Sequence, residues 1–171
     1  MTEAFEGRFT RSRFGIPENA VFYPKFSLAP LVTTLMDMNQ DIEQIANIAH
    51  DVYTSLGSGF SEDVYDCAMQ VGLRLAGIPY ENQKVVELKY RDHYVGEGYP
   101  DLLVQFGRRK VVVELKAVAS ELGACEEQQL RNYMNILGVE DGLLINFQTP
   151  GRKQGETRLE VREVSLSLRS C

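Results

Sequence analysis

Residues 99–118 read YPDLLVQFGRRKVVVELKAV, two apolar runs joined by GRRK. Both runs alternate with a period of two and the joint carries turn chemistry, which together specify a β-hairpin. Setting Gly107 opposite Lys110 makes Phe106 face Val111, Val104 face Val113 and Leu102 face Leu115, six apolar side chains on one face. Asp101, Glu114 and Lys116 then share the other face with Leu103, Gln105 and Val112, and Asp101 lies opposite Lys116. A slip of one residue turns every side chain of a strand over. It would break the apolar face, so the pattern selects a register that gathers the three charges.

Charge on one face of a hairpin is ordinarily solvated. The run 111–118, however, leads through a helix into another apolar strand, which places it centrally with both faces covered. Two carboxylates and an ammonium are costly there unless they pair or hold a metal. Neighbouring carboxylates favour a divalent cation between them.

Toward the N-terminus, Ile42, Ile45, Ala49, Val52 and Leu56 recur at helical spacing up to Gly57. Ser61 is placed to cap a second helix reaching Ala76. Residues 84–91 alternate, with Val86, Leu88 and Tyr90 on one face, and residues 94–106 continue as a second strand interrupted by Gly96, Gly98 and Pro100. Beyond the third strand, 111–118, the pattern predicts a helix over 124–137 stopped by Gly138, a buried strand over 142–147 and a last strand within 157–168. The order ααβββαββ predicts an α/β fold: a mixed central sheet flanked by helices, with strands 111–118 and 142–147 parallel through a right-handed crossover.

Residues 1–38, punctuated by Pro17, Pro24 and Pro30, sustain no period. They read as an N-terminal extension, partly disordered or draped on a domain of residues 39–171. The 171 residues are 44% hydrophobic and 25% charged, enough for one domain to bury a core without disulfides. A net charge of −6 argues against coating nucleic acid by bulk charge. It is compatible with a nuclease, whose acidic ligands themselves lower the net charge. Cys67, Cys125 and Cys171 form no C-x-x-C pair, so no zinc site is expected, and a reduced intracellular compartment, cytoplasmic or nuclear, fits them best. The start has no secretory apolar region. Its Arg, Ser and Phe content has some organelle-targeting character, against which Glu3 and Glu6 weigh. No apolar run is long enough to span a bilayer, so no membrane partner is expected.

Pro100-Asp101 followed by Glu114-Leu115-Lys116 resembles the P-D…(D/E)-x-K signature of the restriction-endonuclease-like nuclease superfamily. GFSEDVY contains Gly59-x-x-Glu62-x-x-Tyr65, which looks like the namesake motif of the GxxExxY protein family. VGEGYPDLLVQ, VVVELKAV, QLRNYM and GLLINF follow in that family's order, so the resemblance runs from about Ile42 to Val164. It implies an αβββαβ core with an extra N-terminal helix. By resemblance, Asp101, Glu114 and the Leu115 carbonyl bind Mg²⁺ or Mn²⁺, Lys116 assists the attacking water, and Glu62 is the acidic residue of the first core helix. Gln129 and Tyr133 match the Gln and Tyr of the helix after the E-x-K strand, and both are expected to line the site. Family members commonly carry Arg-Ala-Asp where this chain has Tyr99-Pro100-Asp101. They often carry one histidine near Glu126 and another near Tyr53, and no histidine role is carried over to this chain.

Several of these residues have an ordinary structural reading as well. Glu62 beside Ser61 complements a helix dipole. Gln129 and Tyr133, four apart, share one face of an amphipathic helix. Tyr65 reads as packing, His50 and His93 as structural. Arg108, Arg109 and Lys110 read as a solvated turn with phosphate contact as the alternative, and Lys84, Lys89, Arg91 and Arg131 are weaker phosphate candidates. The expected function is a metal-dependent nuclease acting on DNA, or on RNA, with homodimerisation compatible. The alternatives are a non-catalytic module that keeps the fold to bind nucleic acid or protein, and a scaffold acting only through dimerisation.

Overall fold

The computed structural model describes residues 37–150 and 158–166. The expectation for the N-terminal extension lies almost wholly outside the described residues, as does Cys171. None of the described helices is long and apolar enough to cross a membrane.

Helix α1 spans Asp37–Leu56 and α2 spans Glu62–Leu75. Ile42, Ile45, Ala49 and Val52 of α1 are buried, and so are Tyr65, Met69 and Leu73 of α2, each set one face of its helix. Leu56, expected on that α1 face, is instead exposed at the last turn. Seven strands follow or intervene: β1 Tyr80–Asn82, β2 Val86–Tyr90, β3 His93–Gly98, β4 Leu102–Phe106, β5 Arg109–Lys116, β6 Asp141–Phe147 and β7 Leu159–Ser165, with α3, Ala124–Leu137, between β5 and β6. The main sheet has the order β1-β4-β5-β6-β7, with β5 and β6 parallel and the other neighbours antiparallel. One face packs Leu102, Val104, Val111, Val113, Leu115, Leu143 and Ile145 against α1 and α2. The other packs Leu103, Val112 and Leu144 against Leu130 and Met134 of α3. Strand β5 is therefore central, with helices over both faces.

The hairpin keeps its predicted faces but not its predicted pairing. Phe106 pairs with Arg109, Val104 with Val111 and Leu102 with Val113, so the turn is Gly107-Arg108 rather than Arg108-Arg109. The reason is the turn itself: tight hairpin turns need positive φ inside the turn, and Gly107, at φ 60, supplies it. The displacement is two residues along a period of two, which preserves both faces. Its consequence is that Asp101 is level with Glu114 instead of Lys116, one step past the last β4–β5 pair.

A second departure matters more for the site. The expected strand 94–106 is two strands, and its partner is likewise divided into β1 and β2. The β1–β4 pairing and the β2–β3 pairing as far as Leu88–Gly96 lie on one register, with Gln83 N–H still donating to Asp101 O at 2.9 Å, and a bulge after Leu88 shifts the last two pairs of the ribbon. The chain thus forms one long hairpin whose outer half, β2–β3, leaves the main sheet as a separate two-stranded ribbon. That ribbon turns toward α3, where Gly98 lies against the Tyr133 ring. Strand β1, three residues long, has no period for sequence reading to detect.

Helix α3 lies close on β6 because Gly142 has no side chain. A methyl group there would sit 2.5 Å from Met134 Sδ and 3.1–3.2 Å from both Leu130 Cδ atoms. Gly142→Ala is therefore expected to overpack this layer and cost about 1–3 kcal/mol. Thermal unfolding followed by circular dichroism would register a Tm lower by several degrees, and an unchanged Tm would contradict the close approach.

Candidate active site

The β4–β5 ladder ends at the Leu102–Val113 pair, whereas β5 continues along β6 as far as the Lys116–Asn146 pair. Residues 114–116 therefore present one strand edge without a strand partner. Asp101, at the bend where the long hairpin leaves the sheet, fills part of it: its Oδ2 accepts a hydrogen bond from Leu115 N–H at 2.7 Å. A strand residue directs its N–H and its C=O to the same edge, as paired residues exchanging both bonds require. The Leu115 carbonyl accordingly leaves β5 on the Asp101 side.

Glu114 is 2% exposed. Its Oε1 accepts from Lys116 Nζ at 3.0 Å and from Gln129 Nε2, on α3, at 2.8 Å. Its Oε2 is buried without a hydrogen-bond partner among the described residues. Lys116 Nζ also lies 3.9 Å from Glu62 Oε1, at the start of α2. Asp101, Glu114, Lys116, Glu62 and Gln129 are thus gathered at one end of β5 by three elements and the bend before β4. Tyr133 stands one turn further along α3 from Gln129, with its ring against Gly98. It belongs to the ribbon–helix seam, and no contact with the carboxylates is seen.

Burial raises the Asp101 carboxyl from 3.8 to about 6, against the Leu115 N–H and Lys116, with Glu62 and Asp66 adding to the rise. Burial, then the neighbouring Asp101, raises Glu114 from 4.5 to about 7 despite Lys116. For Lys116, burial works to lower the pKa, but Glu114, Glu62 and Asp101 outweigh it and the ammonium ends above its ordinary value. These shifts describe a site with more negative charge than its one lysine balances.

Asp66 was not anticipated. It lies one turn beyond Glu62 on α2, and its field contributes to the Asp101 shift. Gln70 Nε2 and Asn82 Nδ2 donate to its Oδ2 at 2.8 and 3.3 Å, while its Oδ1 is buried without a partner among the described residues. The i, i+4 spacing from Glu62 was the available signal. Asn146 was also missed: fully buried, it accepts from Val118 N–H and donates to Ser120 O, tying down the chain just after Lys116. Tyr65 is packing, as expected, stacked on Phe147 with ring centroids 4.3 Å apart.

The basic candidates are mostly committed elsewhere. Arg109 bonds Asp41 and Asp141, Lys84 bonds Glu81, Lys89 bonds Glu87, and Arg131 bonds Glu127 and the Ser165 carbonyl.

Among the described residues no three His, Cys, Asp or Glu side chains form a ready-made metal cage. The donors present still suit a hard cation. They are two like-charged carboxylates, one with a buried oxygen lacking a partner, and a main-chain carbonyl on the open edge.

The family model for the PD-(D/E)XK nuclease superfamily matches residues 39–159, most of the chain, including every residue of this cluster. The chain belongs to the PD-(D/E)XK nuclease superfamily. Its fold is the restriction-endonuclease-like one of that superfamily, a central mixed sheet flanked by helices. Similar solved structures include the following two. A crystal structure of the protein SSO0001 matches with 18% identity and a TM-score of 0.46 over 60% of this chain, and the match spans 48% of that chain, about half its length. The Holliday junction resolvase Hjc from Archaeoglobus fulgidus matches with 17% identity and a TM-score of 0.36, over 62% of this chain and 84% of that one. No match emerges among curated proteins.

Proposed function

We propose that the domain is a nuclease that hydrolyses phosphodiester bonds of DNA, or of RNA, with Mg²⁺ or Mn²⁺ held by Asp101, Glu114 and the Leu115 carbonyl. The observation that carries this reading is Glu114: a carboxylate 2% exposed, with one oxygen unpartnered, beside a second buried carboxylate. Burying a charge in this way is costly and is ordinarily avoided, so the arrangement calls for a cation. When bound, that cation acidifies a water and polarises the scissile phosphate. Gln129 holds one oxygen of Glu114 and leaves the other free. Lys116, fixed by Glu114 and flanked by Glu62, positions the attacking water and offsets the negative charge that builds on the phosphate. Asp101, anchored on the Leu115 N–H, keeps its second oxygen available.

The finer assignment to the GxxExxY family rests on the same region. Gly59 takes a positive φ of 104 before α2, Glu62 lies beside Lys116, and Tyr65 carries its hydroxyl to the Gly57 carbonyl. Each motif position thus has a reason to be what it is.

Lys116→Met tests the reading. Single-turnover cleavage of a DNA and RNA panel with Mn²⁺ is expected to fall by about 10²–10³-fold, the scale of one removed charge-stabilising group. Calorimetric Mn²⁺ binding is expected to persist. A wild type that cuts nothing on the panel, or a variant that cuts at the wild-type rate, would sink the proposal.

A further inference from the structure

A groove of about 520 Å³ lies between the β2–β3 ribbon and α3, with Leu88 and Glu97 on the ribbon side and Gln128, Gln129, Asn132 and Tyr133 on the helix side. Gln129 is shared: the same side chain lines this groove and bonds the Glu114 carboxylate at 2.8 Å. Whatever occupies the groove therefore lies beside the candidate catalytic cluster. We infer that the groove is a subsite for an unpaired nucleobase next to the scissile phosphate, which makes a nucleic acid with an unpaired nucleotide at the cut the preferred substrate. The inference takes its substrate class from the nuclease reading.

The lining chemistry selects this occupant. No lysine or arginine is present and Glu97 is acidic, so a phosphate is disfavoured there. Leu88, Ile136 and the half-buried Tyr133 offer apolar and aromatic surface to a planar ring. Single-stranded bases are commonly held by stacking on such side chains while amides read their edges. The amides are arranged for that task. Gln128 Nε2 donates to Asn132 Oδ1 at 3.0 Å, which leaves Gln128 Oε1 as an acceptor and Asn132 Nδ2 as a donor. A base edge presents the complementary donor–acceptor pair. In a fully paired duplex that edge is engaged and the ring is stacked, so an unpaired base enters at lower cost.

The experiment measures binding by fluorescence anisotropy in EDTA, with three labelled duplexes that differ at one site: fully paired, one unpaired nucleotide, and one unpaired abasic residue. The base-containing duplex is expected to bind about 10-fold more tightly than the other two, the scale of one stacked base. Gln128→Leu/Asn132→Leu, both surface changes on α3, is expected to lower that ratio several-fold with an unchanged Tm, because the edge contacts are lost while stacking on Tyr133 remains. Equal binding of the base-containing and abasic duplexes overturns the inference, because chain flexibility rather than a base would then be recognised. A double variant that keeps the full preference overturns it as well. Cleavage of the same duplexes with Mn²⁺ is read separately: cutting without base preference removes the groove inference and leaves the nuclease, while base-dependent binding without cutting removes the nuclease and leaves the groove as a base-binding site.

Discussion

Glu114→Gln is expected to cut cleavage severely and, in metal-free protein at pH 8, to raise the melting temperature. The two effects have one cause. Glu114 is buried between Lys116, Gln129 and a second carboxylate, and it titrates near 7 instead of 4.5. A carboxyl that holds its proton more tightly folded than unfolded favours the folded state under acid conditions. For Glu114 that advantage is on the order of 3 kcal/mol, complete below the unfolded pKa near 4.5 and lost as pH rises through about 7. Asp101 acts in the same direction as pH rises through about 6. At pH 8 the metal-free protein thus carries two ionised, buried carboxylates.

Glutamine keeps an oxygen for Gln129 and Lys116 but never ionises. The variant's Tm advantage is accordingly expected to be small at pH 5 and to reach several degrees at pH 8, at about 2–4 °C per kcal/mol for a domain of this size. Cleavage is expected to fall by roughly a thousandfold or more, because the site loses several kcal/mol of charge stabilisation. Mn²⁺ should stabilise the wild type more at pH 8 than at pH 5, since cation and proton compete for the same oxygens. Parallel Tm profiles for variant and wild type between pH 5 and pH 8 would show that Glu114 is not the strained group described here.

Much of this site is legible in residues 99–118, for a reason tied to strand geometry. Faces follow from a period of two, so the apolar set Leu102, Val104, Phe106, Val111, Val113 and Leu115 assigns Glu114 and Lys116 to one side without knowledge of the pairing. Pairing is another matter. A slide of two residues leaves both faces unchanged, and only the positive φ that Gly107 supplies to the turn distinguishes the two registers. Helix ends read well where a glycine stops them, as Gly138 does after α3. The peeling of the β2–β3 ribbon from the sheet does not read, because its register continues unbroken through the bend. That bend carries Asp101 to the open edge of β5, and it draws Tyr133 into the ribbon–helix seam instead of the carboxylate cluster. Asp66 stood in plain view one turn after Glu62, but its second partner, Asn82, lies on a strand too short to recognise.

Arg109→Leu is expected to destabilise the domain by about 3 kcal/mol while leaving cleavage intact in the protein that remains folded. Arg109 opens β5, at the end opposite Lys116. Its guanidinium bonds Asp41 Oδ2 of α1 at 2.8 Å and Asp141 Oδ2, at the start of β6, at 2.9 Å. Asp141 is 8% exposed, so deleting the guanidinium leaves a buried carboxylate without its counter-charge. Seven residue-to-residue steps of strand, about 23 Å at 3.3 Å each, separate this clip from Lys116, too far for a loss of charge to be felt at the site. Arg109 thus joins α1 to the first residues of the central strands β5 and β6. Adding Asp141→Asn to the variant removes the orphaned charge and is expected to recover part of the lost stability in urea unfolding. If the double variant is no more stable than Arg109→Leu alone, the loss comes from packing of the arginine stem and not from the buried carboxylate.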